Sequence, residues 1–556
     1  LGATTLADGV TLTIGTGIAN AISLSSIAGT ADGTTSSLTI HTIGAVTVSS
    51  TIGTDIGTVT ITNSGGTTFS GAVSAASLVI TSTTASNTVT FGGNLTLTTG
   101  MTVSASSAAY NVAIHGSSNT IAGATTFANT GTVTLGNGSD TIAFTGGVVA
   151  TAPSAITVNG TITAAGTGVI TLGDSGTALT IGGTSTIGGT STGTITTGAI
   201  NLNNSLTLGA GAATPISLTT VTGPSSGSAN LTIDTTSTVT ISGAIGTNVG
   251  TLTITNSGGT TFSSTVSATT VTLTNTTGTI AFNGALTATT LNTASAGYNL
   301  ALNATSGTIT NAVTFSNTGT LTLGASGGTL TFTGGLTATA PSARTISGTI
   351  SSTNAAMSLG AITLGANTTL NTNATSNSGT LSIGAVTGSS YNLTLSTGAA
   401  VSGANVSGTA FSGTGSLILQ NIGGSASFTG GLTAGTLSVA GTVNNVSLTG
   451  SGGTISNAVT FSNTGTLVLG SSGNTQTYTN GITVLVPTSL TIAGTINLGS
   501  TSSLGDANTA LTLSSAATIS TSTGGSTTIA GEVQSSNINL TISGSGDTSV
   551  TSAIGL

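Results

Sequence analysis

The chain has 556 residues, of which one is Lys or Arg and nine are Asp or Glu, for a formal net charge of −8, and it contains no Cys or Trp. Ordinary soluble domains carry about 25% charged residues; this chain carries 2%. A single cation, Arg344, excludes a basic nucleic-acid footprint and a polybasic membrane patch. Missing thiols exclude disulfides, and 37% hydrophobic content argues for a folded core over low-complexity disorder.

The chain opens LGATTLADG, without Met or a basic n-region. Its early segment LTIGTGIANAISL, at positions 12–24, echoes LTLGAGAATPISL at 206–218, and Asn230-Leu-Thr-Ile233 returns at Asn392-Leu-Thr-Leu395 and near the end at Asn539-Leu-Thr-Ile542. Both ends therefore read as interior repeats, and the expectation is a piece of a longer chain.

From Thr58-Val-Thr-Ile-Thr62 through Leu95-Thr-Leu-Thr98, Thr251-Leu-Thr-Ile-Thr255 and Leu321-Thr-Leu323, apolar residues alternate with Thr. That period of two places one face inward and a row of hydroxyls outward, as in a half-buried strand. Thr and Val suit a pleated surface, and the GG, NG, SGG and NTG clusters between runs supply turns needing φ > 0. No segment has helical spacing. No apolar run reaches the roughly 18 residues of a membrane helix; the best resemble Ile482–Pro487. The chain reads as all-β.

ITNSGGTTFS occurs at Ile61–Ser70 and again, letter for letter, at Ile254–Ser263. Block 110–155 recurs at 298–343, and TISNAVTFSNTGTLVLG at 454–470 is a third, shortened copy. Offsets between copies fall from 193 to 146 residues, which reads as gain and loss of whole turns in a one-dimensional stack. Degenerate long repeats run approximately over 12–204, 205–368 and 369–510, with a partial one at 511–556. No charge run or Pro-rich linker separates them, so one continuous body is expected over 1–556.

Aromatic spacing sets the short period. Phe127 and Phe144, Phe315 and Phe332, Phe411 and Phe428, and Phe461 and Tyr478 are each 17 apart, Phe262 and Phe282 are 20 apart, and Phe69 and Phe91 are 22 apart. Two or three strands with turns fit that interval, which predicts a single elongated parallel β-solenoid (β-helix) with coils of about 17–22 residues. At about 4.8 Å per coil, roughly 25–32 coils make a rod on the order of 120–150 Å. Strung β-sandwiches would instead repeat near 100 residues.

The copies supply an internal alignment for every chemically capable residue. His115 corresponds to Asn303, His41 to Asp234 and Asp55 to Asn248; Asp140 becomes Gly328 and then Asn474, the exchange set of a turn. Arg344 replaces Ile156 and Leu490, which reads as a tolerant surface position. Two His without Cys make no zinc set. Asp8, Asp32, Asp140 and Asp174 stand singly in turns beside Gly or Ser, so repeat-bound calcium is not expected. No G-x-S-x-G elbow has an acid–base partner, no carboxylates cluster as a polysaccharide-cleaving solenoid requires, and GGTSTIGGTSTG (Gly182–Gly193) lacks the Lys of a phosphate loop. The chain offers no catalytic, cofactor-binding or metal residue, and no enzyme is expected. Stacked Thr-x-Thr steps permit an ice-binding hydroxyl array, and sequons such as Asn94-Leu-Thr96, Asn230-Leu-Thr232 and Asn303-Ala-Thr305 arise by composition alone.

With these coils, the GTLTL and TITFSG style of repeat and the near absence of Lys and Arg, the chain resembles the long β-solenoid passengers of Gram-negative surface proteins. These are the filamentous-haemagglutinin and autotransporter-adhesin types and giant β-strand-repeat proteins. The likeness spans essentially the whole chain, and the secretion domain and outer-membrane barrel of such proteins lie outside it. It implies a right-handed solenoid, secreted or displayed at the cell surface. The expected role is a structural fibre, stalk or sheath segment that self-associates end to end or laterally. The alternative is an adhesin whose Thr/Asn face contacts cell-surface glycans. With Arg344 its one cation, the chain offers trypsin a single site.

Overall fold

The computed structural model describes residues 1–31 and 33–555. The described residues are all-β, without helix, and their parallel strands stack into about 25 β-solenoid turns. Three-residue units such as Leu179–Ile181 and Leu206–Leu208 bury their first and third residues and leave the central Thr half-buried. An apolar-x-apolar triplet is the shortest segment that seats two side chains inward, and burying each one fully contributes about 1.5–3 kcal/mol.

The chain divides into two compact units, Leu1–Phe282 and Asn283–Leu556. In the first, each turn contributes strands to three parallel stacks. One passes through Leu38, Val59 and Leu78, another through Val46, Thr67 and Val89, the third through Leu206, Leu231 and Leu252. The second unit is also three-stacked; one of its columns reads Leu381, Val406, Ala426, Val446, Leu467, Leu490 and Leu511.

The turn is longer and more variable than aromatic spacing suggests. Thr345 pairs with Thr363, 18 residues on, whereas Thr11 pairs with Ser37, 26 residues on. The 17-residue Phe interval measures something else. Thr125–Phe127 lies over Val148–Ala150, while Phe144 lies over Ile121, so Phe127 and Phe144 belong to different stacks. Their rings meet edge to face inside the turn, centroids 6.2 Å apart at 84°. The longer intervals do measure a turn: Phe69 pairs with Phe91 and Phe262 with Phe282, and both couples stack nearly parallel at 5.0 and 4.5 Å.

Each long repeat taken by itself is not a whole number of turns. Ile61 belongs to the stack that runs through Ile80, Val103 and Phe127 on to Thr260–Phe262. Its copy, Ile254, lies in another stack, between Ile233 and Leu273. In the second unit Leu321 pairs with Arg344, but its copy Leu467 sits in the column of Val446 and Leu490. Each copy is therefore rotated by one stack. The shift is by the same one stack at both offsets, so the offsets differ from each other by whole turns. Three apolar-x-apolar faces are near-equivalent seats, so a shifted segment still meets apolar neighbours. Local contacts survive the rotation: Thr67 donates to Ser64 and Thr260 to Ser257, both at 3.0 Å and fully buried.

Candidate functional site

The ionisable residues are dispersed among turns and strand faces. Among the described residues no three His, Asp or Glu side chains come together as a metal set. His41 is exposed and His115 half-buried. Asp174 accepts the N–H groups of Gly176 and Thr177 at 2.8 and 2.9 Å; Asp506 does the same for Asn508 and Thr509 at 2.8 and 3.0 Å. Asp8 accepts from the Thr30 hydroxyl, and Asp32 lies outside the described residues. Asp55 and its counterpart Asn248 both hold left-handed backbone, φ 59° and 71°, a conformation that Asp and Asn tolerate. The alternatives at the Asp140 position close one corner three ways. Asp140 Oδ2 accepts the Asn137 N–H, the Gly328 N–H donates to Ala325 O, and the Asn474 N–H donates to Ser471 O. The preceding glycines, Gly136, Gly324 and Gly470, all have φ near +80°, which a side chain would strain.

What recurs is an interior constellation. Phe127–Phe144, Phe315–Phe332 and Phe461–Tyr478 repeat the same edge-to-face pairing at 6.2, 5.8 and 6.4 Å. Beside each pair a fully buried Asn (Asn129, Asn317, Asn463) donates its amide to two carbonyls, one on the preceding turn and one three residues on. The side-chain oxygens of Asn111, Asn299 and Asn445 accept both the N–H and the hydroxyl of Thr132, Thr320 and Thr466 from the next turn. These amides clamp turn to turn at corners, where backbone groups lack ladder partners. Burial pushes the hydroxyls of Tyr110 and Tyr298 up to about 12, against the Tyr110 bond to Ser104 O and the Tyr298 bonds to Thr293 and Ala294.

Three places depart from this template. Arg344 is 8% exposed, not a surface residue as its sequence position suggests. It occupies an inward position between Leu321 and the following turn, where Ile156 and Leu490 are fully buried in the other copies. Alignment with two apolar residues was the signal that it points inward. Its guanidinium donates to Ala338 O, Thr339 O and Ala361 O, the last at 3.1 Å, and burial lowers its pKa. Gln476 and Tyr478 replace Leu330 and Phe332. Gln476 Nε2 donates to Leu448 O and Gly450 O at 2.6 and 3.1 Å, and the Tyr478 hydroxyl donates to Gln476 Oε1 at 3.1 Å. They line a small hollow of about 20 Å³, and burial raises the Tyr478 pKa. Lastly, Leu485 and Val486, 44% and 52% exposed, stand where the other copies carry Thr151-Ala152 and Thr339-Ala340.

Outside, Thr141, Thr161, Thr186, Thr207, Thr232, Thr253 and Thr272 form one unbroken column over seven turns. The column two residues upstream mixes Asn159, Thr184, Ser205, Asn230, Thr251 and Thr270, so hydroxyls do not form a paired Thr-x-Thr lattice. Among the described residues no helix is long and apolar enough to cross a membrane.

Fold and interior together define a three-stacked parallel β-solenoid repeat protein. No protein-family model, curated protein or solved structure matches the chain.

Proposed function

We propose that this chain is a structural β-solenoid segment of an extracellular fibre, stalk or sheath, displayed on or released from a cell. Its work is mechanical continuity and chemical inertness. The reading rests on one observation: the same aromatic and asparagine constellation is rebuilt three times in the interior. Apart from the corner carboxylates Asp174 and Asp506, the ionisable residues compared between copies are replaced from one to the next. A reacting centre needs fixed groups at fixed places; a stack needs only neighbours that fit. Sparse outer charge also leaves little repulsion against lateral packing of chains. Immunogold electron microscopy of the source cells and their released material, with antibody raised to this chain, tests the reading. Gold along fibres or surface stalks supports it, and gold confined to the cell interior contradicts it.

A second reading, an adhesin, draws on the Thr column and on Leu485 and Val486, where the outer surface departs from the template. Its test is retention of the chain on immobilised polysaccharides, compared with a variant carrying Leu485→Thr and Val486→Ala.

A further inference from the structure

The chain contains four Asn-Gly steps: Asn137-Gly138, Asn159-Gly160, Asn283-Gly284 and Asn480-Gly481. In such a step the glycine nitrogen can attack the Asn side-chain carbonyl, because glycine places no Cβ in the way and gives the backbone freedom to reach the cyclising geometry. The folded chain treats the four differently.

Within Thr132–Phe144, Leu135 pairs with Val158 and Asp140 with Gly160, so Gly136–Ser139 leave the ladder opposite the single residue Asn159. Asn137, Gly138 and Ser139 are all exposed, and a Cβ added at Gly138 would meet nothing within 4 Å. By contrast, Asn159 Nδ2 is tied to Gly136 O at 3.0 Å, and the buried Gly160 donates its N–H to the Ser185 hydroxyl at 3.2 Å. Asn480 Nδ2 donates to Ser456 O at 2.8 Å, and the buried Gly481 donates its N–H to Tyr478 O at 3.1 Å. Asn283 Oδ1 accepts from Asn303 at 3.1 Å and Gly284 is half-buried.

We infer that Asn137–Gly138 is a self-modification site, converting by backbone cyclisation while the fold protects Asn159–Gly160 and Asn480–Gly481. The Gly138 nitrogen bonds to Asn137 Cγ. The Cγ–Nδ2 bond breaks, and the side-chain nitrogen leaves as ammonia with the former Gly138 amide proton. Water then opens the cyclic imide to aspartate or isoaspartate. No catalyst or co-reactant besides water is required. The product places a new carboxylate on the excursion whose Asn137 N–H is held by Asp140 Oδ2 at 2.7 Å. In an almost uncharged chain this sets a second acidic group beside Asp140 and leaves a chemical record of age. The other two copies read Ala325-Ser326 and Ser471-Ser472 here, so the site is particular to one corner.

The folded chain and the same chain in denaturant are incubated in mildly alkaline buffer, digested with pepsin, and the four Asn-Gly peptides followed by mass spectrometry. In the folded chain Asn137 converts on the order of tenfold or more faster than Asn159 and Asn480, whose reaction requires local opening of the stack. In denaturant the four rates converge. An Asn137 rate in the folded chain equal to or below those of Asn159 and Asn480 overturns the inference.

Discussion

The guanidinium carbon of Arg344 lies 2.8 Å from where a Cβ on Gly360 would stand. The contact marks a missing corner. In the first copy Gly173 is followed by Asp174-Ser-Gly-Thr177 before Leu179 pairs with Ile156, and the Thr177 hydroxyl donates to Thr151 O and Pro153 O at 3.2 and 2.6 Å. The third copy keeps the corner as Asp506-Ala-Asn-Thr509, with Thr509 donating to Pro487 O at 2.6 Å. The second copy passes from Gly360 directly to Ala361, and Arg344 reaches across to take Thr339 O instead. Arg344→Ile alone is expected to lower stability by about 2–4 kcal/mol, from a void and carbonyls left without donors. Inserting Asp-Ser-Gly-Thr between Gly360 and Ala361 in that variant should restore most of the loss. Chemical denaturation of the two variants checks this; an insertion that adds further destabilisation would sink the corner account.

The same burial makes the chain's one tryptic bond inaccessible. Arg344 pairs with Leu321 of the preceding turn, and Thr345 after it pairs with Thr363 of the next. The native chain should resist trypsin, and cleavage should yield two fragments only after denaturant opens the stack. Gel electrophoresis across a denaturant series reads the outcome; rapid cleavage of the native chain would place Arg344 on an open surface after all.

Because the interior constellation recurs, its members should have equal weight in each copy. Phe127→Ala, Phe315→Ala and Phe461→Ala are each expected to cost about 3–5 kcal/mol. Asn317→Asp should also be strongly destabilising, since it loses two donor bonds and turns a carboxylate toward the carbonyls of Tyr298 and Thr320. Local opening measured by hydrogen exchange around each site is the appropriate readout, because a stack need not unfold as one. A Phe site whose truncation leaves exchange unchanged would contradict its place in the core.

The buried tyrosines predict an alkaline limit. Tyr110 and Tyr298 have folded pKa values of about 12 against 10.0 for an unperturbed tyrosine. The folded state keeps the proton that the unfolded state releases. Their contribution is therefore complete below pH 10 and declines as pH rises from about 10 to about 12, by roughly 2–3 kcal/mol for each. Denaturation midpoints across that window should fall, and Tyr110→Phe should flatten the fall.

Gln476 and Tyr478 form a polar pair where the second copy has Leu330 and Phe332. Tyr478→Phe alone removes the donor to Gln476 Oε1 and should cost about 1–3 kcal/mol. Adding Gln476→Leu restores the template and should recover that loss. A double variant less stable than the single one would mean the pair has a role beyond filling space.

The strands and their parallel stacking were legible because apolar-x-apolar triplets and turn glycines are local signals. The turn role of Asp140 was legible through its exchanges between copies, and that of Asp174 through its Gly and Ser neighbours. The spread of turn lengths was not legible, because Phe127 and Phe144 are neighbours across the turn instead of along the stack. Arg344 was misplaced because its charge outweighed the apolar residues aligned with it. The rotation between copies was invisible, since all three faces accept the same triplets. Leu485 and Val486 were legible as apolar, but their exposure depends on the corner they occupy.

Oriented fibre diffraction from native material that binds antibody to this chain decides whether the stacked turns form a fibre. A meridional spacing of about 4.8 Å is expected, with strands running across the fibre axis and turns stacked along it. Antibody-positive material that forms no fibres, or fibres whose 4.8 Å spacing lies on the equator, would contradict it.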